Sequence, residues 1–105
     1  MAGVRPASFY NARKAKKLYA LVNAMARVNG DDSTLKDFAN MANALAVAIE
    51  IEANCTVTQL ITKMHRKLNV IRTGSVSGDP VLQAFTADAG TFLSGVMKDV
   101  KYAEA

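Results

Sequence analysis

Apolar residues recur every three or four positions along nearly the whole chain, and the two-residue alternation of a half-buried strand is almost absent. In the first segment Leu18, Leu21, Val22, Met25 and Val28 follow the spacing of one helix face. That helix is expected to begin near Ala7 or Ser8 and to stop at Asn29-Gly30, where Gly can take the left-handed conformation that ends a helix. Asp32 or Ser33 then offers an N-cap. A second stripe follows in Leu35, Phe38, Ala42, Leu45 and Ile49, flanked by Met41 and Val47. This segment is rich in Ala, so a neighbouring helix can approach its backbone closely.

The third stripe is Val57, Leu60, Ile61, Met64, Leu68 and Ile71. No Gly or Pro separates it from the second, so residues 34 to 69 read either as one long helix or as two. A break is expected at Asn54-Cys55-Thr56-Val57-Thr58, where Asn and β-branched residues lower helix propensity. From Thr73 to Asp79 the composition turns to Gly and Ser, which reads as a loop. Asp79-Pro80 follows as an N-cap with proline in the first helical position. The last helix carries Leu82, Phe85, Ala89, Phe92, Val96 and Val100, interrupted by Gly90 and Gly95, which are expected to serve close packing or a kink. The pattern predicts one all-α domain over residues 1–105. It is a small bundle of three to four helices with an N-terminal antiparallel helical hairpin, frayed over 1–7 and 102–105. Leu21-Val22-Asn23-Ala24-Met25-Ala26 echoes Met41-Ala42-Asn43-Ala44-Leu45-Ala46, a likeness that reflects shared packing needs rather than a repeat array.

Charge is sorted into blocks. All six charged side chains before Asp31 are basic, whereas residues 31 to 54 carry Asp31, Asp32, Asp37, Glu50 and Glu52 against Lys36 alone. Residues 55 to 78 hold Lys63, Arg66, Lys67 and Arg72 with no acid, and the last segment returns to a slight acidic excess. Such sorting gives the surface a striped potential, suited to an anionic partner or to a second copy of the chain. With 105 residues, half of them hydrophobic, the chain can bury a thin core, so stability is modest or shared with subunit partners. One cysteine and no leading apolar run give secretion no support, and no stretch matches a membrane span, so a soluble, cytoplasmic protein is expected.

Catalytic chemistry has little to build on. His65 and Cys55 are the sole residues of their types, and their basic surroundings supply no carboxylates for a metal site. Glu50 and Glu52 face different sides of a helix, and no glycine belongs to a phosphate-cradling loop. No catalytic residue, metal or cofactor is therefore expected, and the enzyme reading is poor. The basic clusters are stronger. Arg13, Lys14, Lys16 and Lys17 lie beside Phe9, Tyr10 and Tyr19, while Lys63, Arg66 and Lys67 form a second patch at i, i+3 and i+4. Each patch reads either as a solvated helix face or as a set of phosphate contacts. If folding brings both to one side, up to seven phosphates can be neutralised. A helix-turn-helix can also be drawn, with Leu45 to Ile51 as its first helix and Thr56 to Leu68 as its recognition helix.

The order of features from Leu18 to Val100 resembles the small terminase subunit of tailed bacteriophages. The likeness is carried by a first helix ending before Asn29-Gly30-Asp31-Asp32, a Leu- and Ala-rich helix from Leu35 to Ile51 and further chain to Val70-Ile71. The loop Thr73-Gly74-Ser75-Val76-Ser77-Gly78-Asp79-Pro80 and a final amphipathic helix complete it. Members often carry a Trp in the first helix, and this chain has none. The resemblance implies a non-enzymatic, ring-forming protein that binds double-stranded phage DNA and delivers it to a large packaging ATPase subunit. The first reading is accordingly an oligomeric DNA-binding protein with Arg13, Lys14, Lys16, Lys17, Lys63, Arg66 and Lys67 as contacts. The alternative is a structural or interaction protein, a virion component or helical adaptor, that docks other proteins through its charge-sorted faces.

Overall fold

Four helices account for nearly all of residues 7–74 and 80–104, the part of the chain that the computed structural model describes. They are α1 (Ala7–Val28), α2 (Ser33–Glu50), α3 (Asn54–Thr73) and α4 (Pro80–Glu104). No strand occurs among the described residues. The all-α bundle expected from the periodicity is thus the fold, and α1 and α2 form its N-terminal hairpin.

The first two connections are short because each helix ends in a tight left-handed turn. At the end of α1, Gly30 has φ +68° and the Asp31 N–H donates to the Ala26 carbonyl at 2.8 Å, the six-to-one bond that closes a Schellman motif. Asp32 then caps α2, its Oδ1 accepting from the Leu35 N–H at 3.0 Å. The α2–α3 connection uses the same device with no glycine. Glu52 has φ +57°, the Ala53 N–H donates to the Ala48 carbonyl at 2.9 Å, and the Glu52 N–H donates to that of Ile49 at 3.1 Å. Residues 34 to 69 are therefore two helices, and the break lies at Ile51-Glu52-Ala53 rather than at residues 54 to 58. Asn54, Thr56, Val57 and Thr58 instead begin α3, where Thr58 Oγ1 donates back to the Cys55 carbonyl at 2.9 Å. Pro80 opens α4 as expected, while Asp79 and most of the Gly- and Ser-rich loop lie outside the described residues.

Consecutive helices pack side by side and α4 returns to α1, so each helix has two neighbours around a four-cornered bundle. Cross-links near opposite helix ends fix an antiparallel course. Lys16 pairs with Glu50 at 2.6 Å, Lys67 with Asp37 at 3.6 Å, and Asn11 Nδ2 donates to Asp99 Oδ2 at 2.9 Å. The diagonal helices share no close backbone approach, but Phe38 of α2 and Phe85 of α4 meet across the centre, ring edge to ring face, with centroids 5.8 Å apart. Around them Leu35, Leu45, Ile61, Met64, Leu82 and Leu93 are fully buried.

The stripes predicted for α2, α3 and α4 lie on the core face, although Leu60 and Phe92 are only partly buried. Of the stripe predicted for α1, Val22 and Met25 lie there and Leu18, Leu21 and Val28 do not. The core face of α1 is Ala12, Ala15, Val22, Met25 and Ala26, whereas Leu21 and Val28 are exposed and Leu18 is half-buried. Alanines hold three of these five positions, and α1 packs most extensively against α2, whose buried residues include Ala39, Ala42 and Ala46. The two echoing hexapeptides bury the same members, Val22, Met25 and Ala26 in one and Ala42, Leu45 and Ala46 in the other. Their likeness is thus a shared packing solution. No helix among the described residues is long and apolar enough to cross a membrane.

Candidate functional site

The two flanks of α1 present different surfaces. Toward α2 the contact is continuous, but toward α4 the helices come close at few places and leave an open groove of about 640 Å³. Its floor and walls are Leu18 and Leu21 from α1 with Phe85, Ala89 and Phe92 from α4. At one end the Asn11–Asp99 hydrogen bond ties the helices together, with Lys14 and Lys98 on the same stretch of rim. Asp88 stands toward the other end, near Leu21, and Lys17 lines the groove between. The groove is therefore apolar inside, with Lys14, Lys98 and Asp99 on its rim at the α1 N-terminal end and Lys17 and Asp88 farther along. Lys14, Lys17, Lys98 and Asp88 take part in no ion pair among the described residues.

Leu21 marks the groove most clearly, being 52 % exposed despite its place in the apolar pattern of α1. Gly95 contributes an open stretch of wall, since a Cβ there would meet nothing within 4 Å. The same holds at Gly90, and α4 runs unbroken through both positions, so neither glycine is required for close packing.

The seven basic residues, which would make one site if folding brought both patches to one side, are divided. Arg13, Lys14, Lys16 and Lys17 share the outer half of α1, while Lys63, Arg66 and Lys67 belong to α3, the diagonal helix. Two of them are engaged within the fold, Lys16 with Glu50 and the half-buried Lys67 with Asp37. Arg13 lies over the Phe9 ring at 5.7 Å, on the α2 side, whereas Lys14 and Lys17 line the groove on the α4 side. The α1 cluster is thus continuous but straddles two surfaces. The fold does not join it to the α3 patch, because helices of a square bundle meet their neighbours and not their diagonals.

The helix-turn-helix is also overturned. Lys67 reaches Asp37, each well over three turns from the connection, so α2 and α3 run side by side as a hairpin. A recognition helix leaves its partner at a steep angle instead. Cys55 and His65 sit on the same helix, about 15 Å apart along its axis, which separates them as a nucleophile and base. Cys55 is exposed and its Sγ accepts from Gln59 Nε2 at 3.7 Å. His65 lines a shallow hollow between α3 and α4 with Arg72, Thr86 and Ser94. No group of three metal-ligating side chains forms among the described residues.

Sequence reasoning missed the groove because it placed Leu18 and Leu21 on the core face. The available signal was the alanine set at Ala12, Ala15 and Ala26, offset around the helix from the leucines and able to seat a closer neighbour. Comparison with protein-family models, curated proteins and solved structures finds no match to this chain.

Proposed function

We propose that this is a non-enzymatic protein-interaction module whose working surface is the α1–α4 groove, and that the groove takes an amphipathic helix with acidic flanks. The observation that carries this reading is the exposure of Leu21 beside half-buried Leu18 and Phe92 in a groove rimmed by Lys14, Lys17 and Lys98. A helix laid along it would bury apolar side chains on the floor and set carboxylates against unpaired lysines, the usual division between an interface core and its rim. The groove runs about 15 Å along α1 and about 21 Å along α4, the length of three to four helical turns. Titration with a fluorescent, acidic amphipathic helical peptide tests this. Saturable binding that Leu21→Asp abolishes is expected, and equal binding to wild type and Leu21→Asp would overturn the reading.

A second reading is DNA binding of the small-terminase kind. It is favoured by Arg13, Lys14 and Lys17, which are exposed together on one helix and in no ion pair among the described residues. Three available cations correspond to a log–log salt slope of about −2.7, shallower than a joined set of seven would give. Duplex DNA binding measured at several salt concentrations should show that slope and be lost in Lys14→Glu with Lys17→Glu. No binding by the wild type would remove this reading, and retention of binding in the double variant would remove Lys14 and Lys17 as its contacts.

A further inference from the structure

On the flank of α4 opposite the groove, a hollow of about 450 Å³ lies between α3 and α4. Helix α3 supplies His65 and Arg72, two turns apart on one flank and about 10 Å apart along the axis. An arginine on a helix leans toward the helix N-terminus, which for Arg72 is the direction of His65. The α4 wall is small and polar, and Gly90 keeps it open, since a Cβ there would meet nothing within 4 Å. The hollow also carries one sign of charge. Helix α3 contains no Asp or Glu, and Asp88 and Asp99 of α4 line the groove on the other flank. His65 and Arg72 take part in no ion pair among the described residues. The Thr86 and Thr91 hydroxyls already donate to the Gln83 and Ala87 carbonyls, at 2.9 and 3.1 Å, whereas that of Ser94 has no partner among the described residues. The donors left over are a guanidinium, an imidazole and one hydroxyl around an open space, with no carboxylate lining it.

We propose that this hollow binds the diphosphate group of a small ligand. The Arg72 guanidinium takes one phosphoryl group as a bidentate pair, His65 donates to the other, and Ser94 supplies a third contact. Two donors set this far apart along a helix suit two linked phosphoryl groups better than one. Gly90 and Ala87 let the anion lie against α4 with no side chain in its way. None of the α1 cations lines the hollow, so the site is separate from both surfaces considered above.

Titration of the full chain with pyrophosphate, followed through its amide chemical shifts, tests the assignment. Saturable shifts centred on His65, Arg72, Gly90 and Ser94 are expected, and Arg72→Ala should weaken binding about tenfold or more. Gly90→Leu leaves every charge in place and fills the hollow from an unobstructed helical position, so the fold survives, which circular dichroism verifies, and binding should fall comparably. Lys63→Ala with Arg66→Ala removes two α3 cations that do not line the hollow and should leave the affinity within about threefold of wild type. Pyrophosphate binding that is absent, or that survives Arg72→Ala or Gly90→Leu, overturns the inference. An equal loss in the Lys63 and Arg66 variant overturns it too, because the attraction would then be general charge. Orthophosphate bound as tightly as pyrophosphate overturns the choice of a diphosphate. Shifts of these amides by duplex DNA and not by pyrophosphate overturn the inference in favour of a nucleic-acid contact. ADP distinguishes the sources: affinity equal to or above that of pyrophosphate assigns the site to a nucleotide, weaker affinity assigns it to free diphosphate, and either result upholds the proposal.

Discussion

Helix α1 is held differently on its two sides, and the difference follows from side-chain size. Against α2 it presents Ala12, Ala15 and Ala26 to a face containing Ala39, Ala42 and Ala46, so the backbones approach closely and the seam closes. Against α4 it presents Leu18, Leu21, Lys14 and Lys17 to Phe85 and Phe92, and bulky or charged groups keep the helices apart. Burial therefore depends on how closely two helices can approach, and the larger apolar residues end up in the more open seam. One flank serves cohesion and the other is left free for contact.

That contrast can be broken most severely from the centre. Phe38→Ala removes a fully buried ring and its edge contact with Phe85, which helps hold α4 to the bundle where α1 grips it least. A loss of about 3–5 kcal/mol is expected by urea denaturation. Next comes the closed seam. Ala46→Leu forces extra volume into a position with no exposure and should cost about 1–3 kcal/mol in the same measurement. The open seam should respond in the opposite direction, since Gly95→Ala adds a methyl group to free space in a helix interior. A gain of up to about 1 kcal/mol is expected, read as a raised thermal midpoint. The smallest effect belongs to Lys16→Ala. Its pair with Glu50 bridges the closed seam, but both partners are about half exposed (56 % and 46 %), so the cost should stay within about 1 kcal/mol and shrink in high salt.

Much of the bundle is legible in the sequence where local chemistry decides the outcome. The Asn29-Gly30 stop, the Asp32 cap and the periodicity of α2, α3 and α4 depend on residues whose conformational preferences act within one turn. The α2–α3 break was displaced because Glu52 adopts a left-handed conformation that glycine usually supplies, and its sequence gives no sign of it. The β-branched run at residues 56 to 58, which suggested the break, is accommodated inside α3. The candidate site is less legible still. Whether Leu21 is core or groove, and whether Lys16 and Lys67 are free or paired, depends on which helices become neighbours and how closely they approach. Periodicity along one helix cannot determine either.

The pairing order of the helices also bears on how the chain reaches this state. Among the described residues every extensive helix–helix contact joins elements adjacent in sequence, and the sparse α1–α4 seam is the one backbone contact that joins the first helix to the last. Such low contact order belongs to proteins that fold in roughly microseconds to milliseconds, because little loop-closure entropy is lost before contacts form. Helices α1 to α3 are joined by short turns and can zip successively, leaving closure of α4 onto α1 as the topologically most distant step.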